Sequence, residues 1–89
     1  MYLVVIAVET PRWRADVGQL RRTLWTSAAG SDLLQHAQVE VDVGRAVLSL
    51  YLQAADRGSA AQLAGDLARR TMATVSAAGR WRILSIQTL

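Results

Sequence analysis

The sequence predicts an α+β fold in which a four-stranded antiparallel sheet carries two helices on one face. Three observations lead to this fold. Apolar runs of strand length begin and end the chain, two segments with helical periodicity lie inside it, and a pair of alternating segments forms a hairpin between them. The 89 residues are expected to form a single domain, 1–89, of a size at which many chains fold alone.

The first strand and the first helix are predicted at residues 2–9 and 10–30. The strand segment reads YLVVIAVE, an apolar, β-branched run short enough for a strand that is buried on both faces. Thr10 is able to cap the helix that follows, Pro11 suits its first position, and Gly30 suits its end. The chain is therefore expected to start with a β-α unit.

Residues 36–43 and 46–54 form the predicted hairpin. Apolar and polar residues alternate in both segments, which is the pattern of strands with one buried face. A two-residue turn at 44–45, with glycine first, pairs Val41 with Leu48 and brings apolar residues together at each further step. We therefore expect two adjacent antiparallel strands here.

The second helix is predicted at residues 56–79 and the last strand at residues 81–89. Ser59 and Gln62 form a capping box at the helix start, and Gly79 suits its end. The element order is then β-α-β-β-α-β. Short connections and right-handed crossovers lead from that order to a ferredoxin-like sandwich with strand order 4-1-3-2.

The composition indicates a cytoplasmic protein. The apolar start of the chain lacks the basic leader and cleavage site of a signal peptide and the ~20-residue length of a membrane span. There is no cysteine for a disulfide or a zinc site. The net charge is +3 and every basic residue is Arg, while Lys, Asn and Phe are absent. Because a GC-rich bacterial genome produces the same bias, the charge alone does not indicate a nucleic-acid ligand.

Two stretches with an Arg-Trp-Arg pattern, PRWR at 11–14 and GRWR at 79–82, are predicted to be neighbours. Strands one and four lie side by side and antiparallel in this topology, so the end of one meets the start of the other. Both helix N-termini are placed at the same end, where free backbone N–H groups favour anions. A site for a small anion or an acidic partner loop would be formed by Arg12, Trp13, Arg14, Arg57, Arg80, Trp81 and Arg82.

The alternative for this cluster is purely structural. Trp13 would pack at the start of a helix and Trp81 over the edge of the sheet. The arginines would be solvated, stacked on the indoles, or paired with Glu9, Asp16 and Asp56. The abundance of arginine that a GC-rich genome produces favours this alternative.

The face of the sheet without helices is predicted to bind another protein chain. Strand one is apolar on both faces and strand four turns either Ile83 or Leu84 outward, so an apolar stripe lies beside a polar, acidic one. Such a stripe on a small protein is usually covered. We therefore expect a non-catalytic binding or assembly module that forms a homodimer or docks on a larger intracellular partner. Its interface residues would be Leu3, Val5, Val47, Ser49, Tyr51 and Gln53.

An alternative function is that of a small dimeric enzyme of the α+β-barrel type, such as a monooxygenase, isomerase or cyclase, with a cavity between two sheets. Its catalytic candidates are His36, Glu40, Asp42 and Tyr51, with Tyr51 opposite Gln38. His36 and Glu40 lie about 13 Å apart along one strand, which is too far for a direct acid–base pair. Glu40 and Asp42 are about 6–7 Å apart and could raise a shared pKa.

Nucleic acid, metal and cofactor are not expected as ligands. Recognition of RNA by a sheet needs several aromatic residues on the central strands, whereas Tyr51 is the only well-placed one and lies near acidic residues. A single His with scattered carboxylates is no ligand set for a metal. The sequence contains no glycine-rich phosphate loop, and it predicts no cofactor and no membrane partner.

Overall fold

The computed structural model describes residues 1–28, 33–75 and 79–89. One antiparallel sheet has the strand order β2-β3-β1-β4, which is the predicted order read from the other edge. The α+β class and the ferredoxin-like βαββαβ topology are therefore confirmed. The elements are β1 (Tyr2–Glu9), α1 (Val17–Ser27), β2 (Leu34–Asp42), β3 (Arg45–Leu52), α2 (Arg57–Val75) and β4 (Arg82–Thr88).

The core lies between the two helices and one face of the sheet. Every second residue is buried from Val4 to Val8 in β1 and from Ala46 to Leu52 in β3, as the alternation of a strand requires. These side chains form one cluster with the apolar sides of both helices, which therefore cover the same face. Members of the cluster that are 0% exposed include Val4, Ile6, Val8, Leu20, Leu24, Leu48, Leu50, Ala60, Ala64 and Met72. No helix in the described part of the chain is long and apolar enough to cross a membrane.

The segment between β1 and α1 forms a turn, so the prediction of a helix from Pro11 onward was wrong. The backbone N–H of Trp13 donates to the carbonyl oxygen of Thr10 at 3.1 Å, and the Thr10 hydroxyl donates back to the Trp13 carbonyl at 3.0 Å. Arg12 has a φ of 64°, which a right-handed helix does not allow. The helix starts only at Val17.

Aspartates cap both helices. The Asp16 Oδ1 atom accepts a hydrogen bond of 2.9 Å from the backbone N–H of Gln19, and Asp56 Oδ1 accepts one of 2.8 Å from that of Ser59. The predicted caps, Thr10 and Ser59, were therefore wrong. A carboxylate is a strong cap because it accepts from free N–H groups and carries the negative charge that the helix dipole favours at this end.

The predicted helix ends at Gly30 and Gly79 have different outcomes. Gly30 lies outside the described residues, and so do residues 76–78, which follow the last described helical residue, Val75. Gly79 is described and is not helical. A Cβ atom at this position would lie 2.8 Å from the ring of Trp13, so the glycine permits a close approach of the indole.

The hairpin pairs its strands two residues away from the predicted register. Asp42 pairs with Arg45, and the loop consists of Val43 and Gly44 instead of residues 44–45. Gly44 has a φ of 81°, the left-handed conformation that tight hairpin loops use and that glycine adopts without a steric cost. Because the shift is an even number of residues, every side chain stays on its predicted face.

A bulge interrupts the pairing of β4 with β1. Val8 pairs with Ile83 and Ala7 pairs with Ser85, so that Leu84 is the extra residue. Leu84 is 46% exposed, whereas Ile83 packs against the core. The bulge therefore decides which side chains of β4 point away from the helices.

Candidate functional site

The two Arg-Trp-Arg stretches lie side by side, as predicted. The indole Nε1 of Trp13 donates a hydrogen bond of 2.6 Å to the carbonyl oxygen of Arg80. Both Trp13 and Trp81 are partly buried against the hydrophobic core. Within the described residues, the two tryptophans therefore act as packing side chains, and Trp13 links the two stretches through its hydrogen bond.

Arg57 lies at the opposite end of the sandwich, so its assignment to this cluster was wrong. β1 and β3 are antiparallel, and the helices that follow them therefore begin at opposite ends of the sheet. Arg57 Nη2 donates at 2.6 Å to the carbonyl oxygen of Thr88, the last residue of β4, whereas the stretch GRWR ends at Arg82, the first residue of β4. Asp56, which caps α2, is at the far end too, and the two helix N-termini do not come together.

Three of the charges near the paired tryptophans, those of Glu9, Arg82 and Asp16, have partners within the chain. Arg82 Nη2 lies 3.1 Å from Glu9 Oε1, in an exposed ion pair whose side chains are 70% and 38% accessible. At the N-terminus of α1 the backbone N–H of Gln19 donates to the Asp16 carboxylate, which takes the place of an external anion. Arg12, Arg14 and Arg80 are exposed. Anion binding by this cluster stays a prediction.

The open face is the side of the sheet that faces away from both helices, and the strand register defines it. Residues directly opposite each other on neighbouring strands share a face and contact one another. Four rows of side chains cross this face in the order β2, β3, β1, β4. The rows are Asp42–Arg45–Glu9–Arg82, Glu40–Val47–Ala7–Ser85, Gln38–Ser49–Val5–Gln87 and His36–Tyr51–Leu3, the last without a partner from β4.

The open face is apolar along its two central strands, β3 and β1, from the middle to the end at which Leu3 and Tyr51 lie. Val5 and Val47 are partly exposed there, and Leu84 adds an exposed side chain at the bulge. The rest of β4 contributes Ser85 and Gln87, because its isoleucines lie on the side of the helices. Strand four thus turns Leu84 outward, which is one of the two predicted alternatives, but the prediction that an apolar stripe continues along this strand was wrong. Of the six predicted interface residues, Gln53 follows the end of β3. The other five lie in the rows and are Leu3, Val5, Val47, Ser49 and Tyr51.

One row of the open face consists only of charges, and their signs alternate. From β2 to β4 the row reads Asp42, Arg45, Glu9, Arg82. Arg45 is a member that the sequence analysis missed, because the predicted register placed it in the turn. The signal was present in the sequence: a loop at 43–44 makes Arg45 the first residue of β3 and pairs it with an acidic residue.

Among the catalytic candidates, the register brings His36 and Tyr51 together. Their ring centroids are 5.6 Å apart, with 56° between the ring planes. Tyr51 is thus opposite His36 and not opposite Gln38, which corrects the prediction. Glu40 and Asp42 lie farther along β2, on the open face and exposed.

A small cleft lies on the helix side and does not involve these candidates. It holds about 30 Å³, which is space for one or two water molecules. Its lining is largely aliphatic and includes Leu34, Leu52 and Leu67, with Arg70 at the margin. Within residues 1–28, 33–75 and 79–89, no group of three or more His, Asp or Glu side chains is placed to hold a metal ion.

The fold defines the class of this protein as a ferredoxin-like sandwich with one open sheet face. No protein-family model matches the chain, and no curated protein matches its sequence. The same architecture carries enzymes, metabolite sensors, RNA binders and assembly modules.

Proposed function

We propose that the protein is a cytoplasmic, non-catalytic binding and assembly module that associates through the open face, either with a second copy or with a larger protein. The observation that carries this proposal is the combination of a partly exposed apolar centre with a polar surround. Val5 and Val47 form the centre, Leu3 and Tyr51 extend it along β1 and β3 to one end of the face, and neither helix covers them.

The arrangement matches the anatomy of a protein interface. Interfaces place apolar and aromatic side chains at the centre, where water is excluded, and polar or charged side chains at the rim. Here the charged row and the residues of β2 form the rim. The face is also pleated, which suits a second flat surface such as another sheet.

Site-specific cross-linking tests the proposal. A photoreactive benzoylphenylalanine replaces Gln38 on the open face or, as the matched control, Gln62 on the exposed side of α2. We expect a cross-linked product in the native cells from position 38 and none from position 62. Val47→Arg, which places a charge at the centre of the face, should remove the product. Equal yields from both positions, or no product at position 38, would contradict the proposal.

One observation favours a second candidate, the small dimeric enzyme. His36 and Tyr51 are in contact on the open face, and both side chains are among those that general acid–base catalysis uses. This function requires a closed cavity between two sheets that is bordered by both rings. A crystal structure of the associated form decides the matter, since direct sheet-to-sheet contact over His36 leaves no room for a substrate.

A further inference from the structure

We infer that the occupant of the open face is a second copy of this chain, packed about a two-fold axis that runs parallel to the strands. The inference rests on the proposed function and adds to it the identity of the partner and the register of the contact. Its basis is the order of charges in the row Asp42–Arg45–Glu9–Arg82.

The symmetry operation is simple. An axis that lies between two facing sheets, parallel to the strands and midway between β3 and β1, places β2 over β4 of the second copy and β3 over its β1. Each row then faces the same row in reverse order. Such a contact is isologous and closed, so it produces a dimer and not a filament.

The charged row is complementary to its own reverse. Under this operation Asp42 faces Arg82 of the second copy, and Arg45 faces its Glu9. Because the signs alternate, every charge meets an opposite one, and the symmetry repeats both pairs. The existing contact of 3.1 Å between Glu9 and Arg82 leaves the arginine 70% accessible, so it remains available to a second carboxylate. Charge pairs of this kind chiefly set register and specificity.

The other rows are compatible with the same operation. In the second row the large side chain of Val47 meets the small Ala7 of the other copy, and Glu40 meets the hydroxyl of Ser85, which is able to donate to it. In the fourth row Tyr51 meets Leu3. Near the centre, Val47 over Ala7 thus sets a large side chain against a small one, as interdigitating sheets require.

A two-fold axis perpendicular to the strands gives a poorer fit. It would lay the charged row over the row at the other end, so that Glu9 faces Leu3 and Arg45 faces Tyr51. Two charges per copy would then lose water without gaining a partner, which is costly. The axis parallel to the strands is the arrangement that pairs the whole row.

The size of the face sets the expected strength. With a strand spacing of ~4.8 Å and a rise of ~3.4 Å per residue, the face measures roughly 20 by 25 Å including side chains at its edges. A dimer therefore buries about 1,000 Å² in total, which is at the low end for specific interfaces. We expect dissociation in the micromolar range.

Sedimentation equilibrium of the purified full chain, from about 1 to 500 μM, tests the inference with two charge reversals. Asp42→Arg alone places two arginines opposite each other at each end of the row, and Arg82→Glu alone places two carboxylates there. Each variant should raise the dimer dissociation constant at least tenfold. An equimolar mixture of the two should restore association to within about threefold of the wild type, because the introduced arginine then faces the introduced glutamate.

Controls separate folding from association. Arg22→Glu makes the same charge change as Arg82→Glu, but on the exposed surface of α1, and should leave the dissociation constant unchanged. Thermal unfolding by circular dichroism verifies that each variant is folded. Recovery in the mixture cannot arise from a misfolded variant, so it supports the inference even if one reversal lowers stability.

The remaining outcomes distinguish this inference from the proposed function. A wild type that is monomeric at 500 μM overturns the inference, while a partner that cross-links to position 38 still supports the module. A dimer that is broken by Val47→Arg but is insensitive to both reversals uses the open face with another axis, which also overturns the inference. A dimer that survives Val47→Arg does not use the open face and overturns both.

Discussion

The indole of Trp13 donates its Nε1–H to the carbonyl oxygen of Arg80 at 2.6 Å, although the two residues are 67 positions apart. The backbone of the same residue accepts at 3.1 Å from the N–H of Gly44 in the hairpin loop. Trp13 therefore joins the turn after β1, the β2–β3 loop and the segment before β4. These contacts hold the end of the sheet at which the charged row lies.

Gly79→Ala is expected to lower the free energy of unfolding by about 1–3 kcal/mol, the usual cost of overpacking. The added Cβ would lie 2.8 Å from Cε2 and 2.9 Å from Nε1 of Trp13, so the indole would have to move and its bond to Arg80 would weaken. Urea denaturation followed by circular dichroism measures the change.

The matched control is Gly58→Ala. A Cβ at position 58 is 3.5 Å from Asp56 Oδ1, an ordinary contact, and alanine suits the first turn of α2. This variant should be unchanged or up to about 1 kcal/mol more stable. If Gly79→Ala behaved in the same way, the close packing of Trp13 against position 79 would be refuted.

Gly44→Ala should also be destabilising, for a conformational reason. The φ of 81° is unfavourable for a residue with a Cβ, and the expected loss is about 1–2 kcal/mol. A Cβ there would have open space, with its closest neighbour 4.0 Å away, so steric contact adds nothing. Because asparagine tolerates this conformation, Gly44→Asn should lose less than Gly44→Ala in the same urea experiment. Equal losses would argue against a left-handed residue in the loop.

The hairpin illustrates how much of the fold the sequence could predict. Alternation in two short segments identified which side chains face the core, because that property repeats every second residue. The same period cannot distinguish two registers that differ by two residues, since both keep the faces unchanged. The pairing of Asp42 with Arg45 and a left-handed Gly44 decide between them in the folded chain.

The candidate site was harder to predict, because its rows depend on register and topology together. The placement of Ser85 and Gln87 on the open face follows from the bulge at Leu84. The local sequence pattern of β4 does not indicate this bulge. The error over Arg57 was topological: helices that follow antiparallel strands start at opposite ends. Helical periodicity correctly placed Leu20 and Leu24 in the core. The buried side of a helix can be predicted from its own sequence, without knowing which elements pack against it.

Thr71→Val is expected to stabilise the protein by about 1–2 kcal/mol. The Thr71 side chain is fully buried in α2, and its hydroxyl has no hydrogen-bond partner among the described residues. Burial of an unpaired hydroxyl is unfavourable, and valine has nearly the same shape.

Thr10→Val is the matched comparison for this hydroxyl. Thr10 is equally buried, but its Oγ1 donates to the Trp13 carbonyl at 3.0 Å. The same substitution should therefore destabilise the protein by about 1 kcal/mol, because it removes one of the two hydrogen bonds that this carbonyl accepts, the other coming from the N–H of Gly44. Thermal or urea unfolding of the two variants should give changes of opposite sign. Changes of the same sign would show that the hydrogen bond of the Thr10 hydroxyl does not determine how the two sites respond to valine.

Stability should depend on pH through the cap of α2. Hydrogen bonds from the backbone N–H and the hydroxyl of Ser59 hold the pKa of Asp56 below its ordinary value of 3.8. A lowered pKa in the folded state means that the ionised form stabilises the fold above the unfolded-state pKa. This contribution is lost as the pH falls through the lower, folded-state value.

Asp56→Asn isolates that contribution, because the amide still accepts from Ser59 but does not titrate. We expect the wild type to be more stable than the variant by a constant amount from about pH 5 to 7, where the carboxyl is ionised in both states. The difference should shrink below pH 3.8 and vanish under strongly acidic conditions, where the carboxyl is protonated in both states. Urea unfolding of both proteins at pH 7, 5, 3 and 2 measures it, and other titrating groups cancel in the comparison. A difference that persists undiminished at pH 2 would mean that the charge of Asp56 does not stabilise α2, since an uncharged cap would serve it equally well.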